Sequence, residues 1–174
     1  MFKRQLSNLK GRNMTEKTIA LVTGGAQGIG FACAEAIAAD GAQIVLADVN
    51  DRAVKDAAEK LAEDTIAYVC DMGEPDQIEA LFGKIESDLG SISILVNNAG
   101  IALPNDFLEV SYTDFQKVLN VNLTGSFLAT QRAAKSMIVS GIEGAIVNMS
   151  SVNAQVAIPS IAAYCASKGG VMQL

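Results

Sequence analysis

Apolar and polar positions alternate in blocks from Thr18 onward. Short runs of β-branched and aliphatic residues are each followed by an Ala-rich stretch with helical spacing. The runs at 18–23 (TIALVT), 43–48 (QIVLAD), 65–70 (TIAYVC), 93–98 (SILVNN) and 144–150 (GAIVNMS) read as five strands. Helices are expected over 28–39, 51–62, 75–89 and 113–139, with another beginning at residue 162. Pro75 is well placed for a first helical position. In the longest helix Phe115, Val118, Leu119, Leu123 and Phe127 recur at intervals of three and four, which predicts one continuous amphipathic helix. Fully apolar strands alternating with helices imply a parallel sheet covered on both faces. The expected fold class is therefore α/β, a doubly wound parallel sheet in three layers, helix–sheet–helix. It forms one domain over 18–174, preceded by a flexible basic tail over 1–17 in which Met14 is a natural beginning.

Composition narrows the chemistry. Half of the chain is hydrophobic and aromatic residues are few, which suits helices packed on a sheet. The net charge of −6 argues against a nucleic-acid partner. Histidine is absent, so histidine-based triads and most catalytic zinc sites are excluded, and no metal is expected. Cys33, Cys70 and Cys165 are far apart, form no CxxC pair, and read as free structural thiols in a reducing cytoplasm. No apolar run is long enough to span a bilayer.

Candidate chemistry begins at TGGAQGIG (23–30), between the first strand and the first helix. Glycines there let the backbone turn sharply and approach a ligand, and the helix N-terminus offers free N–H groups to a pyrophosphate. The spacing is G-x-x-x-G-x-G, distinct from a P-loop. Asp48 ends the second strand, where a carboxylate can accept from both ribose hydroxyls and repel a 2′-phosphate. With Gln27 rather than a basic residue in the loop, NAD is favoured over NADP. At the other end of the chain, YCASK (164–168) holds a phenol and an ammonium at i and i+4 on one helix face. Each feature alone has a plainer reading: an ordinary turn, a helix cap, a half-buried phenol, a solvated lysine.

Taken in order, TGGAQGIG, NNAG at 97–100, Asn122, Ser151 and YCASK resemble the short-chain dehydrogenase/reductase family, over 18–174. The resemblance implies a Rossmann-like fold and an NAD-dependent oxidoreductase that interconverts a secondary alcohol and a ketone. It implies that Gly24, Gln27, Gly28, Ile29 and Gly30 hold the pyrophosphate and that Asp48 holds the adenosine ribose. Asp71 and Met72 would flank the adenine, and Asn98, Ala99 and Gly100 would line the cofactor groove. Asn122, Ser151, Tyr164 and Lys168 would form a catalytic tetrad. In it Tyr164 is the acid/base and Lys168 tunes it and binds the nicotinamide ribose. Ser151 holds the substrate oxygen, and Asn122 holds a water that passes protons toward Lys168. Ordinary members of the family are longer and often homotetrameric. The expectation is thus a sheet truncated after its fifth strand, an incomplete nicotinamide and substrate side, and an oligomer for a full-length parent. Ala154, Gln155 and Ile158 are the partial hints to the substrate pocket. The competing reading is a catalytically silent dinucleotide-binding or interaction fragment.

Overall fold

The computed structural model describes residues 18–174; the expected tail over 1–17 lies outside the described residues. Five parallel strands form one sheet: β1 (Ile19–Thr23), β2 (Gln43–Asp48), β3 (Ile66–Val69), β4 (Ile94–Asn97) and β5 (Ala145–Asn148). Their spatial order is β3-β2-β1-β4-β5. Register is set across the centre by Leu21 opposite Val45 on one side and Leu95 on the other. The α/β, Rossmann-like expectation is met, with layers of helix on both faces.

Alternation along the strands divides the core in two. Leu21, Val45, Ala47 and Leu95 pack with Ile78, Leu81, Phe82 and Ile85 of α3 (Pro75–Asp88) and with Ala129, Ala133 and Met137 of α5 (Gly125–Val139). Ala20, Val22, Ile44, Leu46, Ile94 and Val96 face the opposite way. They meet Ala34 and Ile37 of α1 (Gly28–Ala39) and Val54, Ala57 and Ala58 of α2 (Asp51–Leu61). The three central strands are apolar between their ends, with Thr23, Gln43, Asp48 and Asn97 only at terminal positions, because both of their faces are covered. The two edge strands depart from the expectation of uniform burial. β3 is half-buried and ends on an exposed Val69, and β5 begins on an exposed Ala145.

The long helix also differs from its expected form. It is divided into α4 (Tyr112–Leu119), a π-helical segment (Asn120–Thr124) and α5, the Gly125 N–H reaching back to the Asn120 carbonyl. Ser111 caps α4 by accepting from the Asp114 N–H. The wide turn presses Gly125 against the turn that follows β3: a side chain there would collide with the Met72 carbonyl. α6 (Ala162–Met172) follows β5 and packs against α4 and the π segment.

Candidate active site

All candidate residues lie beyond the carboxyl ends of the strands. β1 and β4 are neighbours in space although β2 and β3 come between them in sequence. The chain therefore winds away from this seam in both directions, leaving a crevice outside the strand ends. Thr23 and Asn98 stitch the seam. Thr23 Oγ1 accepts from the Asn98 and Ala99 N–H groups, each at 3.1 Å. Asn98 Nδ2 donates to the Thr23 and Gly24 carbonyls at 3.1 and 3.0 Å. Asn98 thus holds the glycine turn as well as bordering it.

The turn is shaped to admit a ligand. Gly24 has φ 61°, and a Cβ there would lie 2.9 Å from both the Ala99 Cα and Asn98 Nδ2. At Gly30 a Cβ would collide with the Gly24 carbonyl and sit 2.5 Å from Asn98 Nδ2. Gly28 has φ 58° but faces open space. Gln27 precedes α1 and gives it no side-chain cap, so the first N–H groups of α1 are free to meet an anion. Ile29 is 64% exposed on the first turn of that helix. Asp48, at the end of β2, accepts from the Ala26 N–H at 3.2 Å and the Asn50 N–H at 3.1 Å. Its carboxylate therefore lies against the glycine turn. An open glycine, an uncapped helix start and an adjacent acid form a cradle that fits a nicotinamide dinucleotide.

Beyond β3, Asp71 Oδ1 accepts from the Gly73 N–H at 2.8 Å, closing a tight turn. The Met72 side chain is 5% exposed and belongs to the core, so Met72 can offer a ligand only its backbone. This narrows the expectation that Met72 flanks the adenine.

The structure brings Asn122, Tyr164 and Lys168 together through two elements. Asn122 sits in the π segment and is 0% exposed. Its Oδ1 accepts from the Ile101 N–H at 2.7 Å, while Nδ2 donates to the Ile101 carbonyl and to Ser167 Oγ, each at 2.9 Å. Tyr164 and Lys168 share a face of α6, with the Lys168 Nζ 5.8 Å from the Tyr164 ring centroid. Lys168 is only 5% exposed, contrary to the reading of a solvated helix charge. Burial pulls its ammonium below the usual lysine range. Nζ donates to the Met149 carbonyl at 2.5 Å, and Ser150 Oγ donates to the Lys168 carbonyl at 2.9 Å. The end of β5 thus grips Lys168 at its tip and at its backbone. Gly100 borders the same space, 3.3 Å from Asn122 Oδ1 and 3.6 Å from Lys168 Nζ as measured from where a Cβ would stand.

Ser151 lies just past β5, half-buried. It caps a short 3-10 turn (Val152–Ala154) by accepting from the Asn153 N–H at 3.1 Å. Ser150 and Ser151 therefore have separate tasks: Ser150 points into the α6 contact, and the Ser151 hydroxyl is bonded within its own turn, where it also donates to Asn153 Oδ1 at 3.3 Å. Ala154 is half-buried, and Gln155 and Ile158 are exposed in the loop leading to α6. That loop contains Ser160 at φ 67°, its carbonyl accepting from the Asn105 N–H at 2.8 Å. Thr23, Ser150, Ser160, Ser167 and the π turn escaped the sequence reading. Thr23 had one legible signal, a polar residue closing an apolar strand.

A sequence model of the short chain dehydrogenase family matches residues 18–174. The D-threitol dehydrogenase of Mycolicibacterium smegmatis is 41% identical over 88% of this chain and 60% of its own length. The NAD-dependent glycerol dehydrogenase of Listeria innocua is 37% identical over 95% of this chain and 64% of its own. Among solved structures, a putative gluconate dehydrogenase from Agrobacterium tumefaciens superposes with a TM-score of 0.84 at 33% identity, covering 90% of this chain and 62% of that one. The chain therefore spans somewhat less than two thirds of the length of these relatives.

Proposed function

The chain belongs to the short-chain dehydrogenase family, and from that premise we propose that it acts, as part or all of its protein, in the NAD-dependent interconversion of a secondary alcohol and a ketone. The observation that carries this reading is the meeting of the glycine turn and the Tyr164–Lys168 pair at one crevice beyond β1, β4 and β5. Gly24, Gln27, Gly28, Ile29 and Gly30 would receive the pyrophosphate, with Asp48 on the adenosine ribose. Asp71 and the Met72 backbone would border the adenine, and Asn98, Ala99 and Gly100 the inner groove. Asp48 lies where a 2′-phosphate would meet a like charge, which supports NAD over NADP. The NAD dependence named for the glycerol dehydrogenase relative points the same way.

Bound NAD supplies the hydride acceptor. The remaining work falls to the side chains. Tyr164 takes the hydroxyl proton as hydride leaves the same carbon, and returns it in the reverse direction. Lys168 supplies positive charge beside the developing phenolate and reaches toward the nicotinamide ribose. The Ser151 hydroxyl donates to the substrate oxygen as charge builds on it. Asn122 has its side-chain amide committed to Ile101 and Ser167. Its support of the site is therefore to fix the surrounding backbone, and any water it holds must use other atoms. A small polyhydroxy or hydroxy-acid substrate is favoured by the names of the relatives, which act on threitol, glycerol and, putatively, gluconate.

Fluorescence titration with NADH and NADPH in parallel, followed by turnover assays on small polyols, tests the proposal. The expected result is saturable binding with NADH at least about tenfold tighter, consistent with a like-charge penalty of about 1.4 kcal/mol or more. Turnover should fall by about 10²–10⁴-fold in Tyr164→Phe while NADH still binds. Preference for NADPH would overturn the role of Asp48. Binding without turnover on any alcohol would favour the silent dinucleotide-binding alternative.

A further inference from the structure

Ser167 stands immediately before Lys168 and has no part in the chemistry above, yet its side chain is completely buried at 0% exposure. Its hydroxyl donates to the Tyr164 carbonyl at 2.7 Å and accepts from Asn122 Nδ2 at 2.9 Å. A serine hydroxyl has one proton. With that proton on the Tyr164 carbonyl, Ser167 Oγ can serve Asn122 only as an acceptor. This agrees with the orientation that the Ile101 backbone imposes on the Asn122 amide, oxygen toward the Ile101 N–H and nitrogen toward the Ile101 carbonyl, and leaves the second Nδ2 proton for Ser167. The two segments are also in contact beside it, since a Cβ on Gly170 would meet the Leu123 side chain at 2.7 Å.

We propose that Ser167 is a positioning residue for the acid–base pair, locking the π segment that bears Asn122 to the helix that bears Tyr164 and Lys168. The proposal rests on the assignment of Tyr164 and Lys168 given above. Without the hydroxyl, one Nδ2 proton of Asn122 is left buried and unpaired. A buried unpaired donor is relieved only if Asn122 rotates or α6 shifts. Rotation of Asn122 breaks its bonds to Ile101 beside Gly100, and a shift of α6 displaces the phenol and ammonium that it carries. Misplacement on the scale of 1 Å costs a reacting site about 10²-fold in rate.

Ser167→Ala and Ser167→Thr in the full chain test this. Threonine keeps a hydroxyl that can bond the carbonyl three residues back in a helix. By hydrogen exchange, Ser167→Ala should speed amide exchange about tenfold in both 120–124 and 162–172, leaving β1 and β2 unchanged. Ser167→Thr should restore both segments. In turnover, Ser167→Ala should lower kcat about 10- to 100-fold, with the NADH Kd within about twofold, and Ser167→Thr should recover most of kcat. Faster exchange confined to α6 would overturn the proposal. So would a joint loss of kcat and NADH affinity that threonine fails to rescue. If the unaltered chain turns over no alcohol, the oxidoreductase reading falls, while the exchange comparison still decides whether Ser167 joins the two segments.

Discussion

At the scale of single residues, the glycine turn separates two kinds of constraint. Gly30 lacks a side chain because the protein itself occupies the space, through the Gly24 carbonyl and Asn98 Nδ2. Gly28 lacks one although nothing of the protein lies within 4 Å. Its φ of 58° disfavours other residues by about 1–2 kcal/mol, and the space in front of it is open to the dinucleotide proposed above. The two alanine variants should therefore behave differently. Gly30→Ala forces backbone apart and should cost about 1–3 kcal/mol of stability, read by denaturant titration. Gly28→Ala should cost about 1–2 kcal/mol of stability and in addition weaken NADH binding by tenfold or more. Unchanged NADH affinity in Gly28→Ala would mean that no ligand approaches the turn there. Lys168 illustrates the same economy with charge. Burial lowers the pKa of its ammonium, which donates to the Met149 carbonyl. A chain selected for stability alone would not place it there.

At the scale of elements, α3 and α5 are joined by Arg132. It forms paired bonds to Glu86 at 2.8 and 2.6 Å and a third to Glu79 at 3.1 Å. Ser136 adds a bond to Glu86 at 2.6 Å. The Arg132 hydrogen bonds hold the Glu86 carboxyl below its usual value, against the opposing effect of burial. A carboxylate with a depressed folded value stabilises above its unfolded pKa of about 4.3, and the gain is lost as pH falls through the folded value. The Tm advantage of the unaltered chain over Glu86→Gln should thus be constant above about pH 5 and shrink below about pH 4. An advantage independent of pH would assign the contact to packing.

The same helix pair marks what the sequence could reveal. Strand positions and the ends of α1 were legible because β-branched runs and the glycine turn are local signals. Tyr164, Lys168 and Ser151 were legible as an ordered set. The π turn was not. Phe115 through Phe127 keep a helical spacing across it, yet Phe127 is 43% exposed and the buried face runs through Asn122, Gly125, Ser126, Ala129 and Ala133. Small and polar residues line that face because it presses on the Met72 carbonyl and on Asn97, whose Nδ2 donates to the Ser126 carbonyl and Thr130 Oγ1. Periodicity reports apolarity, and here closeness of approach decided burial. Ser167 was hidden for a related reason: its partners are distant in sequence or in the backbone.

At the scale of the whole molecule, the sheet order places every candidate residue at one rim and leaves β5 as a lateral edge among the described residues. Its inner side is paired with β4, beginning at the Ala145 N–H, which donates to the Ser93 carbonyl at 2.9 Å. Among the described residues no strand pairs with its outer side, and exposed Val152, Val156 and Met172 lie on the segments that follow. Unpaired strand edges flanked by apolar surface template association between chains, and an edge lysine opposes it. Ala145→Lys should lower the rate of aggregation, followed by light scattering, about threefold or more. Overall charge must be separated from edge protection, because the chain is acidic and an added lysine reduces its net charge from −6, which by itself disfavours solubility. Ala36→Lys, on the exposed face of α1, makes the same charge change far from the edge. Slower aggregation in Ala145→Lys but not in Ala36→Lys would identify β5 as the surface through which copies meet. Equal behaviour of the two variants would move that role to the apolar loop and helix surface beyond β5.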